Sequence, residues 1–359
     1  MLEVPALLKT LVTGGTGFVG SRLVRRLLAA GRDVRVLARA SSPLGALSGL
    51  DVEVVRGDIL LTDTAYRALR GCDRLFHVAA VYVVWARDPQ DILRPAVEGT
   101  RSVLGAAVRS GGLERIVVTS SAAPSVGVSD SPDQIRDEGH SFNLEGAETY
   151  VVAKNRAEKV ALEMQREHGL PLSVACPAGI FGPGDHKPTP SGENVVRFLV
   201  GLPLVGFPVY PAGGLAIADV DDVADGHLAI EAHGRPGEKY LVAGENLTYR
   251  RMFEILAELT GLPAPRREVG RVASMAGGLL AEAGARLFGL PPLATYRYAR
   301  DLVGRYMYYS SAKAQADLGW THRPARDALA RSVAWYLAAG RVPPSRRRTL
   351  RLAPAVENA

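Results

Sequence analysis

Thr13-Gly14-Gly15-Thr16-Gly17-Phe18-Val19-Gly20 is the stretch on which the fold turns. It follows the apolar pair Leu11-Val12 and precedes a segment, 21–30, with helical spacing that stops at Gly31. Glycines stand at 14, 17 and 20. One suits a tight turn, and one lets backbone approach a pyrophosphate. The last lets helix and strand pack closely, with the helix N-terminus facing the phosphate charge. A glycine string alone is a weak signal, and its bland alternative is a structural turn. Placed in the first strand-to-helix turn of an alternating pattern, it is a strong one. Gly14, Thr16, Gly17, Phe18 and Val19 are therefore expected to cradle a dinucleotide.

Outward from this turn the alternation continues. Strands are expected to close at 11–13 and to run over 34–37, 52–55, 75–78, 115–119 and 172–175. Helices such as 100–110 and 150–168 lie between most of them. Such alternation predicts an α/β fold, a Rossmann doubly wound parallel sheet with helices on both faces. After Gly182 the chain becomes rich in Pro and Gly and then mainly helical, which predicts a smaller, mostly helical C-terminal substrate lobe. The expected division is a dinucleotide-binding domain at 9–180, completed near 215–245, with the lobe built from 181–214 and 246–340. Residues 341–359 are expected to be a basic, disordered tail.

The 359 residues predict about two domains. An apolar fraction of 47% and a charged fraction of 22% exclude disordered, collagen-like and disulfide-framework classes. Cys72 and Cys176 are the only cysteines, which suits a reducing, cytoplasmic setting. The net charge is +6, yet five arginines against Glu357 sit in the last 19 residues. The near-neutral body argues against a nucleic-acid-binding face. The tail itself has two readings, an anionic surface contact or a solvated terminus. The apolar run from Val272 is broken by Glu282 and Arg286, short of the about 20 residues a spanning helix needs. No integral membrane segment or secretory leader is expected.

Cofactor choice is read at the second strand. An acid at its end would hold the ribose of NAD, whereas an arginine accommodates the 2′-phosphate of NADP. The residues there are Ala38 and Arg39. This favours NADP(H), with NAD(H) possible and a solvated Arg39 the alternative. Asp58, with Ile59 beside it, is a candidate for the adenine amino group, or a plain turn aspartate. Ala79 and Ala80 after the fourth strand are small enough to let a cofactor lie against the backbone. His77 reads as a satisfied core histidine, and no metal is expected.

Tyr150 and Lys154 are four residues apart, so on a helix they share one face. An ammonium beside a phenol favours the phenolate. The pair can then exchange a proton with an alcohol or ketone. Thr119-Ser120-Ser121 sits at the end of the fifth strand, on the ligand edge of such a sheet. Ser121 is the first choice to hold a carbonyl oxygen and Ser120 its neighbour.

In this order, GGTGFVG, RGDI, HVAA, TSS, YVVAK and CPAGIFGPGD make the chain resemble the extended short-chain dehydrogenase/reductases, the NAD-dependent epimerase/dehydratase family. The likeness is greatest to the hopanoid-associated sugar epimerase and dihydroflavonol-reductase-like groups. The resemblance implies a Ser121-Tyr150-Lys154 active site, hydride transfer at the nicotinamide, a cofactor contact near Pro177, a small-molecule substrate and a possible homodimer. The chain departs from the pattern in three places: Ala96 stands for a relay asparagine, Cys176 for an arginine and Asp219 for a histidine. Cys176 reads as a buried thiol. Asp221 and Asp222 read as helix-capping acids, with substrate contact or lobe anchoring as the alternative. Tyr82 and Trp85 are candidates for a substrate wall.

Three functions follow. The leading one is an oxidoreductase exchanging a hydride between NADP(H) and a ketone or secondary alcohol. The second is a nucleotide-sugar epimerase or dehydratase that retains NAD. The third is a non-catalytic NADP(H)-sensing protein, which the Tyr150-Lys154 pair disfavours.

Overall fold

The computed structural model describes residues 8–79, 88–144, 146–201, 209–288 and 295–359. The first half runs β1 (Lys9–Thr13), α1 (Phe18–Ala29), β2 (Asp33–Ala38), β3 (Glu53–Arg56), α2 (Thr62–Leu69), β4 (Arg74–His77), α3 (Gln90–Ser110), β5 (Arg115–Thr119), α4 (Ala122–Val126), α5 (Thr149–His168) and β6 (Leu172–Pro177). Then come β7 (Gly179–Phe181), α6 (Pro190–Val200), β8 (Val209–Pro211), β9 (Gly213–Asp219), α7 (Val220–His233), β10 (Lys239–Val242), β11 (Glu245–Thr248), α8 (Tyr249–Thr260) and β12 (Arg267–Val269). The chain closes with α9 (Arg271–Phe288), α10 (Tyr296–Leu302), β13 (Arg305–Met307), α11 (Ala312–Leu318), α12 (Ala325–Ala338), α13 (Pro344–Arg347) and α14 (Pro354–Glu357).

Seven parallel strands form the main sheet in the order β10-β6-β5-β4-β1-β2-β3. The order reverses between β4 and β1, where Thr13 stands beside His77. The diverging loops of such a switch point leave a crevice at the carboxyl ends of the strands. Both faces of the sheet are apolar because both are covered. One core joins it to α2, α3 and α5, the other to α1, α7 and α11. A second, small sheet of β11, β9, β7 and β13 carries the other lobe, whose core is α6, α8 and α12.

The structure corrects two boundaries. α11, expected in the lobe, packs on the main sheet, where Ala314 and Leu318 join the core of α1 and α7. Its anchor is Trp320, whose indole Nε1 donates to the Asp222 carbonyl at 2.8 Å. The segment 341–359, expected to be disordered, is docked. Val342 and Val356 are buried in the lobe core. The Arg351 and Ala353 amides bond the Thr260 and Leu259 carbonyls at 2.8 and 3.0 Å. Arginine content hid the apolar residues between the charges.

Candidate active site at the strand ends

The glycine turn is shaped by steric necessity. Gly14 has φ +74°, and a Cβ there would lie 2.6 Å from the Ala79 amide nitrogen. A Cβ on Gly20 would lie 2.2 Å from the Gly14 carbonyl oxygen, so only glycine lets α1 start this close to β1. Gly17 is the N-cap of α1 and offers no side-chain cap to the first amides. Those amides, with no acid in the first turn, fit the phosphates of a dinucleotide. Thr16, Phe18 and Val19 border this opening, each half-buried. Thr13 Oγ1 accepts from the Ala79 amide at 3.3 Å and ties the turn to the end of β4. Ala80, Tyr82 and Trp85 lie outside the described residues.

Arg39 is exposed, directly after β2. Its side chain has no hydrogen-bonded partner among the described residues. Arg56, at the end of β3, stands beside Ala38 in register. Its guanidinium donates to the carbonyls of Arg39 (2.8 Å) and Ser42 (3.1 Å) and braces the loop that carries Arg39. This second arginine was missed at the sequence level. Its signal was position, since the neighbouring strand ends at the same edge. Asp58 Oδ1 accepts from the Leu60 amide at 2.9 Å in a local turn, and Ile59 packs against the main core. Pro177 is buried at the end of β6, beside Val242.

The two serines separate cleanly. Ser120 is buried and donates to Glu158 Oε2 at 2.5 Å. Ser125 donates to the other oxygen at 2.8 Å. Ser121 is half-buried at the N-cap of α4, and its hydroxyl has no partner among the described residues. Only Ser121 is therefore available to a ligand. Glu158 is the second residue missed from sequence. It lies four residues after Lys154 and eight after Tyr150, a spacing that places all three on one side of α5.

Lys154 Nζ donates to the Thr119 carbonyl at 2.7 Å, which fixes α5 to the end of β5. Burial pulls its pKa down to about 8, opposed by Cys176 and Glu158. Burial pushes the Tyr150 phenol well above its ordinary value. Tyr150 packs against the small apolar cluster of Val128, Leu144, Ala147 and Val151. Cys176 is fully buried, and burial pushes its thiol well above the ordinary value, in keeping with a small buried hydrophobe.

Behind the site lies a cavity of about 20 Å³ lined by His77, Ala96, Thr100, Lys154 and Glu158 among others. It is large enough for one water. Ala96, which stands where the resemblance expects an asparagine, lines this cavity together with Lys154. His77 is satisfied as expected, between Thr13 Oγ1 (2.8 Å) and Thr100 Oγ1 (3.2 Å).

The acids after β9 are not the cap. Asp219 caps α7 by accepting from the Asp221 amide at 2.8 Å. Asp221 binds Arg22 through both oxygens (2.6 and 2.8 Å) and Arg331 at 2.6 Å. Asp222 holds Arg323 at 2.8 Å. Asp219 also takes Arg331 (2.6 Å) and Arg323 (3.0 Å). These bonds clamp α1, α7 and α12 together, which is the anchoring alternative.

A glycine-opened helix start at the switch point, a serine after β5, and α5 carrying a tyrosine and a lysine, the lysine bonded to the end of β5, fit a dinucleotide-dependent enzyme of the Rossmann class. The family model described as NAD dependent epimerase/dehydratase matches residues 10–243. The chain belongs to this family and is an NAD(P)-dependent oxidoreductase. It is 37% identical to a putative dihydroflavonol 4-reductase of Synechocystis, over 90% of this chain and 93% of that one. It is 34% identical to sterol demethylase protein B of Methylococcus capsulatus, over 93% and 99%. The crystal structure of a nucleoside-diphosphate-sugar epimerase from Pseudomonas aeruginosa superposes with TM-score 0.75 at 26% identity, covering 94% of this chain and 99% of that one.

Proposed function

We propose that the protein is an NADP(H)-dependent reductase of a ketone carried on an apolar scaffold, working reversibly on the matching secondary alcohol. The observation that carries this reading is the division of labour at the strand ends. Ser121 has a free hydroxyl, Ser120 is committed to Glu158, and Lys154 is pinned to Thr119 on the same edge. Ser121 would donate to the carbonyl oxygen. Tyr150, held protonated by burial, would give that oxygen its proton. Lys154 would stabilise the phenolate left behind. The glycine turn would hold the pyrophosphate, Asp58 the adenine, and Ala79 and Pro177 the nicotinamide end. The bound nicotinamide supplies the hydride. The apolar cluster against which Tyr150, Phe142, Leu302 and Met307 pack supports an apolar substrate. The reductase names of relatives agree with this direction.

Arg39, free and braced by Arg56, supports NADP(H) over NAD(H). The test is fluorescence titration of purified protein with NADPH and NADH. NADPH should bind more tightly, and Arg39→Ala should weaken NADPH alone by about 1–3 kcal/mol, the worth of a hydrogen bond to a charged group. Tightly retained NAD that resists exchange would overturn this reading in favour of a nucleotide-sugar epimerase. Light scattering during purification checks the homodimer that belongs to the same proposal.

A further inference from the structure

The exposed side chains described on helix α9 are all apolar. Val272, Leu279, Leu280 and Leu287 are 81, 54, 76 and 78% exposed. The other exposed positions among its described residues are Ala273, Ala276, Gly277 and Ala283. Steps of seven and eight residues put the four large side chains on one stripe. At 1.5 Å per residue it is about 22 Å long. The stripe is held in place from behind. Gly278 lies against the backbone of Thr295 and Tyr296, Glu282 accepts from the Tyr296 amide at 2.9 Å, and Arg271 donates to the Val303 carbonyl at 3.0 Å.

The segments flanking it are rich in arginine. Arg266 and Arg267, just before α9, and Arg297 on α10 are exposed, and their side chains have no hydrogen-bonded partner among the described residues. Between Arg266 and Asp301 stand six arginines and three acids. Arg271 is paired with Asp130 (3.2 Å) and Arg300 with Asp301 (2.6 Å), while Glu268 is exposed, so the excess cations among the described side chains are Arg266, Arg267 and Arg297. No described helix is long and apolar enough to cross a membrane.

We propose that α9 docks on an anionic lipid surface, its stripe at the boundary of headgroups and acyl chains and its arginines on the phosphates. An apolar face flanked by arginine is what a helix lying in the membrane plane presents. A second copy fits less well, because a two-fold contact across α9 would bring two sets of flanking arginines together. The docked helix would lie close to the site. α10, on which α9 rests, bonds the start of α5 through Thr295 to Glu148 and through Arg300 to the Gly146 carbonyl. The inference is independent of the reaction proposed above, because its readout is binding.

The experiment is co-sedimentation of the full chain with phosphatidylcholine vesicles, with and without phosphatidylglycerol. Binding should require phosphatidylglycerol. Leu279→Glu/Leu280→Glu should weaken it roughly tenfold or more. Arg266→Ala/Arg267→Ala should weaken it about fivefold per arginine. Melting temperatures should stay at the wild-type value, since all these side chains are exposed. Should the leucine pair disturb folding, Val272→Glu decides by the same readout. No binding to anionic vesicles, or undiminished binding by the leucine variant, overturns the proposal. So does a dimer that the leucine variant dissociates in the absence of vesicle binding.

Discussion

At the scale of single residues, the site is a set of hydroxyls with different obligations. Tyr150→Phe keeps the ring in its apolar cluster and removes only the proton carrier. Its kcat in ketone reduction should fall about 10²- to 10⁴-fold, with an unchanged circular dichroism spectrum. A rate within a few-fold of wild type would remove Tyr150 from the mechanism. Two histidines make a separate prediction about stability. Burial lowers His77 to about 3 and His227 to about 4, from 6.5, with Lys154 adding to both shifts and the Val223 carbonyl opposing that at His227. Below pH 6.5 the unfolded chain takes up protons that the folded chain refuses. Stability from this source is therefore full above pH 6.5 and is lost as pH falls toward 3–4. Raised pKa values at the buried acids Asp185 and Asp219 act in the opposite sense. His227→Gln isolates the effect. Its urea midpoint should fall less than the wild type's between pH 6.5 and 4.

At the scale of elements, α7 is the hinge of the design. It packs on the main sheet through Ala224 and Ile230, and its first turn holds three arginines from α1, α12 and the connection before α12. Burial and the two guanidiniums act against each other at Asp221, and the arginines win, holding its carboxyl at about 2. Asp221→Ala would leave Arg22 and Arg331 without their shared partner. The loss should be about 2–4 kcal/mol in chemical denaturation, the range for a charged hydrogen-bonded pair that is partly shielded from water. The alternation of strands and helices was readable from periodicity because each element has a consistent buried face. The role of Asp221 was not. A pair of acids at a helix start looks the same in sequence whether it caps the helix or binds arginines 199 and 110 residues away.

At the scale of the whole molecule, the last segment belongs to the fold. Removing residues 341–359 would take Val342 and Val356 out of the lobe core, together with Leu350 and Leu352, which pack against it. At about 1.5–3 kcal/mol for each buried side chain, the two valines alone stabilise by about 3–6 kcal/mol. The truncated chain should melt at a markedly lower temperature, with loss visible first in the lobe. An unchanged melting curve would mean that the segment contributes nothing.

What the sequence determined by itself was the local grammar: the glycine turn after β1, the strand-helix alternation, and Tyr150 and Lys154 one turn apart on α5. These depend on near neighbours along the chain, so spacing alone carries them. Tertiary structure decided everything that depends on which distant residue arrives. It separated Ser120 from Ser121 by bringing Glu158 under one of them. It set Arg56 behind Arg39, moved α11 onto the main sheet and docked the arginine-rich terminus on the lobe through Val342 and Val356. A hydroxyl or a charge has no fixed role until its partner is known, and the partner is chosen by packing.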